Sequence, residues 1–596
     1  MNTESSRKFR EATQRDPFVW PRPLMLSDLR ALLGKGNREP SPGPDRWEKW
    51  TVTILGDQAM SVVLALLNYV LVHNYFDKLR DHYLLPMFKN RGLSSQLSNY
   101  RAVCFGNFLA VTAAGWFTRQ AQAYAMKHHM IPETQVAVQS GVQQRDLTSF
   151  LANLEAWAFR AKTPIYGLVR DQKKGFDLLR PEAGYDAYHF FGFGPNAEAF
   201  DRARLAHGAF IVKTPYGLAE PFEVDGQMKQ GDPPNPLRFS LAMAMGSYWL
   251  DEQAFEDPLL ITTQNRARSN NHTQADELTL KITQVSAMDD TILLAKSERT
   301  LAAMTLYMEH FQEAYGAQTD WGTKTRAIIM GLGNQSDTPG TVQVATPHGR
   351  RQVTVDPAHV FLKTPFAAPD RQYTQLESIV RSIGFPSTPT RRLPLSALRR
   401  FIEQQLISRL RPRLALCPIR PDDALKLDQL IAMRIKEYYG WVFPPSAKLV
   451  TLPVAKFGFE LTSLWRLNGA MAVDGLLQDL NHHIPAFAQM ARITLADLQC
   501  QHHGCISPLL NPKPLSFKHS QQMVPQIWNT ALGALQHCGN LRVLETDQSN
   551  RTDSGISAEH AYLQSGGAKR NEPQLQKAMA ALPAGLTDLQ VLRRGP

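Results

Sequence analysis

An alternating apolar run, Leu278, Leu280 and Ile282, leads into Ala287-Met288-Asp289-Asp290 and out through Ile292-Leu293-Leu294. A period of two is the signature of a strand, and a short polar break between two such runs predicts a hairpin with the aspartates at its tip. Paired carboxylates there can hold a hard cation through oxygen, although a solvated surface turn has the same look. From Pro164 to Gly331 the short apolar runs IYGLV, FIVKTPYG, LTLKITQV, TILLA and AIIMG alternate with helical stretches, which predicts an α+β domain built on one sheet.

A chain of 596 residues, 43% of them hydrophobic, can bury more than one core, so several subdomains are expected. Its formal charge of +11 favours a polyanionic partner. The five cysteines are scattered, against a disulfide scaffold and for a reducing compartment. The polar N-terminus has no apolar core of a signal peptide, and the most apolar stretch, Ala59 to Val72, is too short to span a bilayer. The expectation is an intracellular protein, nuclear or cytoplasmic, neither secreted nor membrane-bound, with Ala59 to Val72 as a buried helix. Leu24 to Arg160 reads as helical and loop-rich, punctuated by Ser41-Pro-Gly-Pro-Asp45.

Two further features join the paired aspartates. The apolar run Ile165 to Val169 ends in Asp171-Gln-Lys-Lys-Gly175-Phe176, which puts a carboxylate at the exit of a core strand. If that strand neighbours the hairpin, three acidic side chains can share two divalent cations, the requirement of nucleotidyl transfer. The segment Gln230-Gly231-Asp232-Pro233-Pro234-Asn-Pro236 opens into an apolar helix, and its glycine lets backbone approach a ligand closely. By itself that segment is a loop before a helix.

In this order the features resemble the reverse transcriptase core of non-long-terminal-repeat retrotransposons. Asp171-x-x-x-Gly-Phe176 resembles motif A, Gln230-Gly231-Asp232-Pro233 with Pro236 and Phe239 resembles motif B, and Met288-Asp289-Asp290 resembles motif C. Pro86-Met-Phe-Lys89 and Leu97-Ser-Asn-Tyr100-Arg101 are similar to the fingers motifs, Ser41 to Asp45 to the N-terminal extension, Trp321-Gly-Thr-Lys324 to motif D, and Phe361 to Pro365 to the primer-grip hairpin. The resemblance covers about Ser41 to Pro418. It implies a right-hand polymerase with residues 1–40 as a tail and extension, 41–163 as fingers, 164–335 as a palm with an antiparallel sheet, 336–390 as a primer-grip and connecting region, 391–500 as a helical thumb, and 501–596 as a partly disordered C-terminal region.

The same resemblance implies an RNA-directed DNA polymerase that takes an RNA template, a DNA primer and deoxynucleoside triphosphates. Asp171, Asp289 and Asp290 would hold two Mg²⁺ ions, with Mn²⁺ as the substitute. Phe176 would be the gate that excludes a 2′-hydroxyl, Lys89 and Arg101 would contact the triphosphate, Gln230 and Gly231 would line the nucleotide pocket, and Lys324 would be the general acid for pyrophosphate.

Three positions depart from the family pattern: Ala287 stands where an aromatic residue is usual, and Arg170 and Arg238 where apolar ones are. Alternation should turn Arg170 to the face opposite Asp171. Between Arg391 and Arg420, Leu395, Leu398, Ile402, Leu406 and Leu410 keep helical spacing while eight arginines face one glutamate, either a phosphate-gripping surface or an amphipathic helix pair. Cys500-Gln-His502-His503-Gly-Cys505 fits no zinc-knuckle spacing and is read as incidental. The competing readings are a decayed or domesticated relic that only binds nucleic acid, and a maturase or telomerase-type polymerase, against which the missing accessory domains count.

Overall fold

The computed structural model describes residues 3–543, apart from 91, 207, 224–229, 264–277, 323, 333–338, 367–368, 387–390, 444, 502–507, 511, 513, 515–523 and 539–540, together with 591–593. Helices run throughout, and the strands gather in several small sheets.

The first sheet grows from an antiparallel ribbon of β1 (His82–Phe88) and β2 (Tyr100–Gly106). The chain then enters the central sheet with β3 (Ile165–Arg170) and returns to the first with β4 (Ala209–Thr214), which pairs parallel with β1 and carries the short β5 (Gly217–Leu218) and β6 (Phe222–Glu223) on its far side. A boundary at residue 163 therefore does not separate the two sheets. The open edge of β1 is a row of unpaired amides and carbonyls, and β4 satisfies it from within the segment expected to be palm.

A ribbon of β7 (Leu260–Thr262) and β8 (Thr279–Lys281) precedes the hairpin of β9 (Gln284–Ala287) and β10 (Asp290–Ala295), and β11 (Arg326–Met330) completes the central sheet. Its order is β11-β3-β10-β9 with every pair antiparallel, and the helices Asn235–Asp251 and Glu298–Ala314 lie between its strands in sequence, giving a split β-α-β arrangement. Both faces are covered. Leu293, Ala295, Ala327 and Ile329 join a core with Met304, Met308 and Phe311, whereas Ile292, Leu294, Ile328 and Met330 join another with Phe150, Trp157, Phe487 and Met490. Burial of alternate residues on opposite faces is why TILLA and AIIMG are continuously apolar.

Two hairpins follow, β12 (Thr341–Thr346) with β13 (Gly349–Thr354), and β14 (Val360–Phe361) with β15 (Thr364–Pro365). Leu362 and Lys363 turn the second with φ of 48° and 62°, the double left-handed turn that a two-residue hairpin demands. Beyond it, helices Pro369–Ser382, Leu395–Phe401, Ser408–Leu416 and Pro421–Tyr439 enclose their own core, and Ile402–Ile407 is a π-helical insertion that joins Leu395–Phe401 to Ser408–Leu416. Helices Leu464–Leu480 and Pro485–Gln501 are bolted to helix Gln144–Ala161 behind the central sheet by buried ion pairs, Arg145 with Asp479 at 2.7 Å and Arg160 with Asp497 at 2.9 Å.

Two expectations are corrected here. Residues 1–40 contain two packed helices, Glu4–Arg15 and Leu26–Leu33, because Phe9 meets Phe191 edge to face at 4.9 Å and Trp20 is buried against Phe117 and Phe200. Helix Asp57–His73 buries only Met60, Val63, Leu67, Val70 and Leu71, and leaves Val62, Leu66, Tyr69 and Val72 exposed, so its apolar sequence does not make it a buried helix. In the C-terminal region, β16 (Leu541–Val543) pairs with β17 (Val591–Arg593). Cys505, His502 and His503 lie outside the described residues, as does the side chain of Cys500. No helix among the described residues is long and apolar enough to cross a membrane.

Candidate active site

The site is set by register. Arg170 pairs with Thr291, so the next residues outward, Asp171 just past the end of β3 and Asp290 at the start of β10, lie across from each other at one end of the central sheet. Partners in an antiparallel pair share a face and successive residues alternate, so both carboxylates project from the face opposite Arg170. Arg170 is accordingly buried beneath, with its guanidinium on Glu309, on Gln312 at 2.6 Å and on Thr319 at 2.9 Å. The expected opposition of Arg170 and Asp171 is therefore present.

Asp289 occupies the turn of the β9–β10 hairpin beside Met288, whose φ is +60°. A non-glycine residue in the left-handed region costs energy and persists where the surroundings hold it. Part of that support is Gln135, which is 2% exposed and accepts the Met288 amide on Oε1 at 3.2 Å. The segment around Gln135 bridges to Ser286 along the outer edge of β9. A glutamine so far from the motifs gives no sequence signal of this role. Ala287, the residue that departs from the family pattern, pairs with Asp290 and closes the hairpin.

Two of the three carboxylates are perturbed. Burial raises the pKa of Asp289, and the charge of Asp171 adds to it while Lys324 and Arg101 pull it back. Asp290 is pushed up to about 6, first by burial and then by Asp289 and Asp171. Lys324 donates to Asp171 Oδ2 at 2.6 Å and reaches Asp320 at 3.3 Å. Burial acts to lower its pKa, and these carboxylates outweigh that and raise it, so the ammonium stays charged at neutral pH.

The donor set is of the chemical type that a divalent cation takes. It comprises hard oxygens, two of them on carboxyls that burial and mutual repulsion make costly to ionise without added positive charge. Among the described residues no three acidic, His or Cys side chains stand close enough to form a ready-made cage, and the Lys324 ammonium supplies the neutralising charge on Asp171. Asp171, Asp289 and Asp290 are the residues that could hold such an ion.

Around this end of the sheet stand the other expected residues. Gly175 abuts Asp289, for a Cβ there would lie 3.3 Å from the Asp289 Cβ, and the half-buried Phe176 ring sits 4.9 Å from Phe239. Arg101, exposed on β2, acts electrostatically on Asp289, and Lys363 at the tip of the β14–β15 hairpin acts on Asp290. Lys89 ends β1 and donates to the Ser98 carbonyl at 2.9 Å, on its own ribbon. The Gln230 carbonyl accepts the Cys104 amide at 2.7 Å, and Gly231 has φ +101°. A Cβ on Gly231 would meet the Cys104 carbonyl at 2.7 Å, so a side chain is excluded there.

Behind the Gln230–Gly231 loop runs a chain of buried charges. Asp232 pairs with Arg204, Arg204 with Asp201 at 2.7 Å, and Asp201 with Arg238 at 2.7 Å. Asp201 and Arg238 are fully buried, and Tyr188 donates to Asp201 at 3.3 Å. Arg238, a misfit by family pattern, is the terminal cation of this network. No protein-family model matches the chain, and no curated protein matches it either.

Proposed function

We propose that the chain is a template-directed nucleotidyl transferase, an RNA-directed DNA polymerase of the non-long-terminal-repeat retrotransposon type with right-hand architecture. The single observation that carries the reading is the gathering of Asp171, Asp289 and Asp290 at one end of a split β-α-β sheet, in the order and with the neighbours that the motif resemblance implies. Bound to those carboxylates, two Mg²⁺ ions, or Mn²⁺ in their place, would activate a primer 3′-hydroxyl and neutralise the triphosphate.

The rest falls to the chain's own groups. Arg101 and Lys89 on the β1–β2 ribbon bind the triphosphate, the arginine through a planar fork and the lysine as a point charge. Gln230 and Gly231 form one wall of the nucleotide pocket, where the absence of a side chain lets the substrate lie against backbone. Phe176 packs against the sugar and excludes a 2′-hydroxyl. Lys324, held protonated by Asp171 and Asp320, donates a proton to the leaving pyrophosphate oxygen. The exposed Arg400, Arg409 and Arg411 take phosphates of the primer-template, while Arg399 is engaged with Glu460 at 2.6 Å and Arg420 with Asp370 at 2.9 Å.

Primer extension on poly(rA)/oligo(dT) with the purified chain tests the reading, with Mg²⁺ and Mn²⁺ compared. Incorporation of dTMP dependent on template, primer and cation is expected. Tight binding of the duplex with no extension in either metal would instead support a chain that only binds nucleic acid.

A further inference from the structure

A cavity of about 650 Å³ is lined by helix Leu26–Leu33, the loop through Gly43, the end of β2, helix Phe108–Lys127 and, from the loop before helix Asn235–Asp251, Gly231 and Pro233. Its volume is that of a small-molecule site. One wall is a single helix face, Phe108, Val111, Thr112 and Gly115, whose spacing puts them on adjacent turns. Trp47 stacks on Phe108 at 5.7 Å with the rings 30° apart, which offers a flat aromatic surface. Lys35 and Lys49 are the charged residues of the lining, which includes no carboxylate.

Gly115 shows that the space is kept open. A glycine inside a helix is about 1 kcal/mol worse than alanine, and is tolerated where a neighbour comes too close for a side chain. Here a Cβ on Gly115 would meet nothing within 4 Å, so packing within the described residues gives no reason for it. What a side chain would fill is the cavity.

Lys49 is half-buried and bonds to the Lys35 carbonyl and, at 3.2 Å, to that of Asn37. An ammonium has three donors, so one remains. Burial lowers its pKa, the mark of a cation short of negative charge. We propose that this cavity is a binding site for a small planar aromatic molecule carrying one anionic group, its ring on the Trp47–Phe108 face, its edge over Gly115 and its anion on Lys49. The lining contains none of the three aspartates and shares Gly231 with the loop assigned to the nucleotide pocket, so the variants that test it lie on the far walls, at Gly115, Thr112 and Lys49.

The test uses the full chain and two probes of the same ring system, the anionic 8-anilinonaphthalene-1-sulfonate and the neutral N-phenyl-1-naphthylamine, read by fluorescence titration. One saturable site for the anionic probe is expected. Gly115→Leu, which fills the space, should weaken it at least tenfold, and Gly115→Ala, which puts one methyl group under the edge of the ligand, about threefold. Thr112→Leu, one turn earlier on the same face, gives the same reading should Gly115→Leu fail to fold. Lys49→Met should weaken the anionic probe about tenfold and leave the neutral one unchanged. Absence of a saturable site, or affinity indifferent to both Gly115→Leu and Thr112→Leu, would overturn the proposal, as would equal loss of both probes in Lys49→Met.

Discussion

Two groups of acids, one buried and one half-buried, are built on opposite principles. Behind the Gln230–Gly231 loop, Asp201 and Asp232 alternate with Arg204 and Arg238, so each carboxylate touches a guanidinium and the four charges cancel. At the end of the central sheet, Lys324 pairs with Asp171 alone of the three aspartates, and Asp289 and Asp290 hold raised pKa values. Compensation makes the first group part of the scaffold. Its lack leaves the second group with excess negative charge, and the proposed cation site rests on that difference.

Breaking the compensated group gives the largest expected loss of stability. Asp201→Ala leaves Arg238 without a carboxylate in the interior while Arg204 keeps Asp232, and removing one partner of a buried pair costs about 3–5 kcal/mol. Denaturant unfolding of Asp201→Ala should show that loss. A loss under about 1 kcal/mol would mean that the network is hydrated and does not fix the loop.

Next in size is the nucleotide gate. If Phe176 packs under a sugar, Phe176→Val should let GTP compete with dGTP by a factor of ten or more while dGTP incorporation stays near its original rate. If the ring only fills space against Phe239, both nucleotides should slow alike, from a cavity worth a few kcal/mol.

The uncompensated group predicts a smaller change of opposite sign. Asp290 is harder to ionise when folded, so its contribution to stability is full below the ordinary carboxylate range near pH 4 and is lost as pH rises through about 6. Asp290→Asn should therefore stabilise the fold at pH 7.5, by on the order of 1 kcal/mol once partial exposure is discounted, and leave it unchanged at pH 4. Thermal melts at the two pH values check this. Destabilisation at pH 7.5 would place Asp290 among the structural acids.

Smallest in affinity is the arginine-rich helix. Arg409→Ala with Arg411→Ala should lower the salt slope of duplex binding by about 0.9 for each phosphate that is no longer neutralised. Arg399→Ala should leave that slope unchanged, because its partner is Glu460. An unchanged slope in the double variant would show these arginines to be merely solvated.

Contiguous patterns carried the legible part of this molecule. The Met288-Asp289-Asp290 hairpin and the strand that runs into Asp171 each write their geometry within a few residues, through alternation and a polar break. What was hidden depends on residues far apart in sequence. Nothing in the sequence around Arg238 points to Asp201, and Gln135 supports a turn more than a hundred residues later. Return of β4 to β1, the packing of Phe9 and Trp20, and the exposed stripe on helix Asp57–His73 are likewise tertiary choices, since one apolar pattern fits a buried helix or a half-covered one.

The central claim is that Asp171, Asp289 and Asp290 act as one cation-binding unit in nucleotidyl transfer. Single-turnover primer extension on poly(rA)/oligo(dT) by Asp171→Asn, Asp289→Asn and Asp290→Asn, each compared with the parent chain in Mg²⁺ and Mn²⁺, tests it directly. Each variant should stay folded and lose at least about a thousandfold in rate, as members of one unit do, and combining two should add little. A variant that keeps more than about a tenth of the parent rate, or losses that multiply on combination, would contradict a shared site.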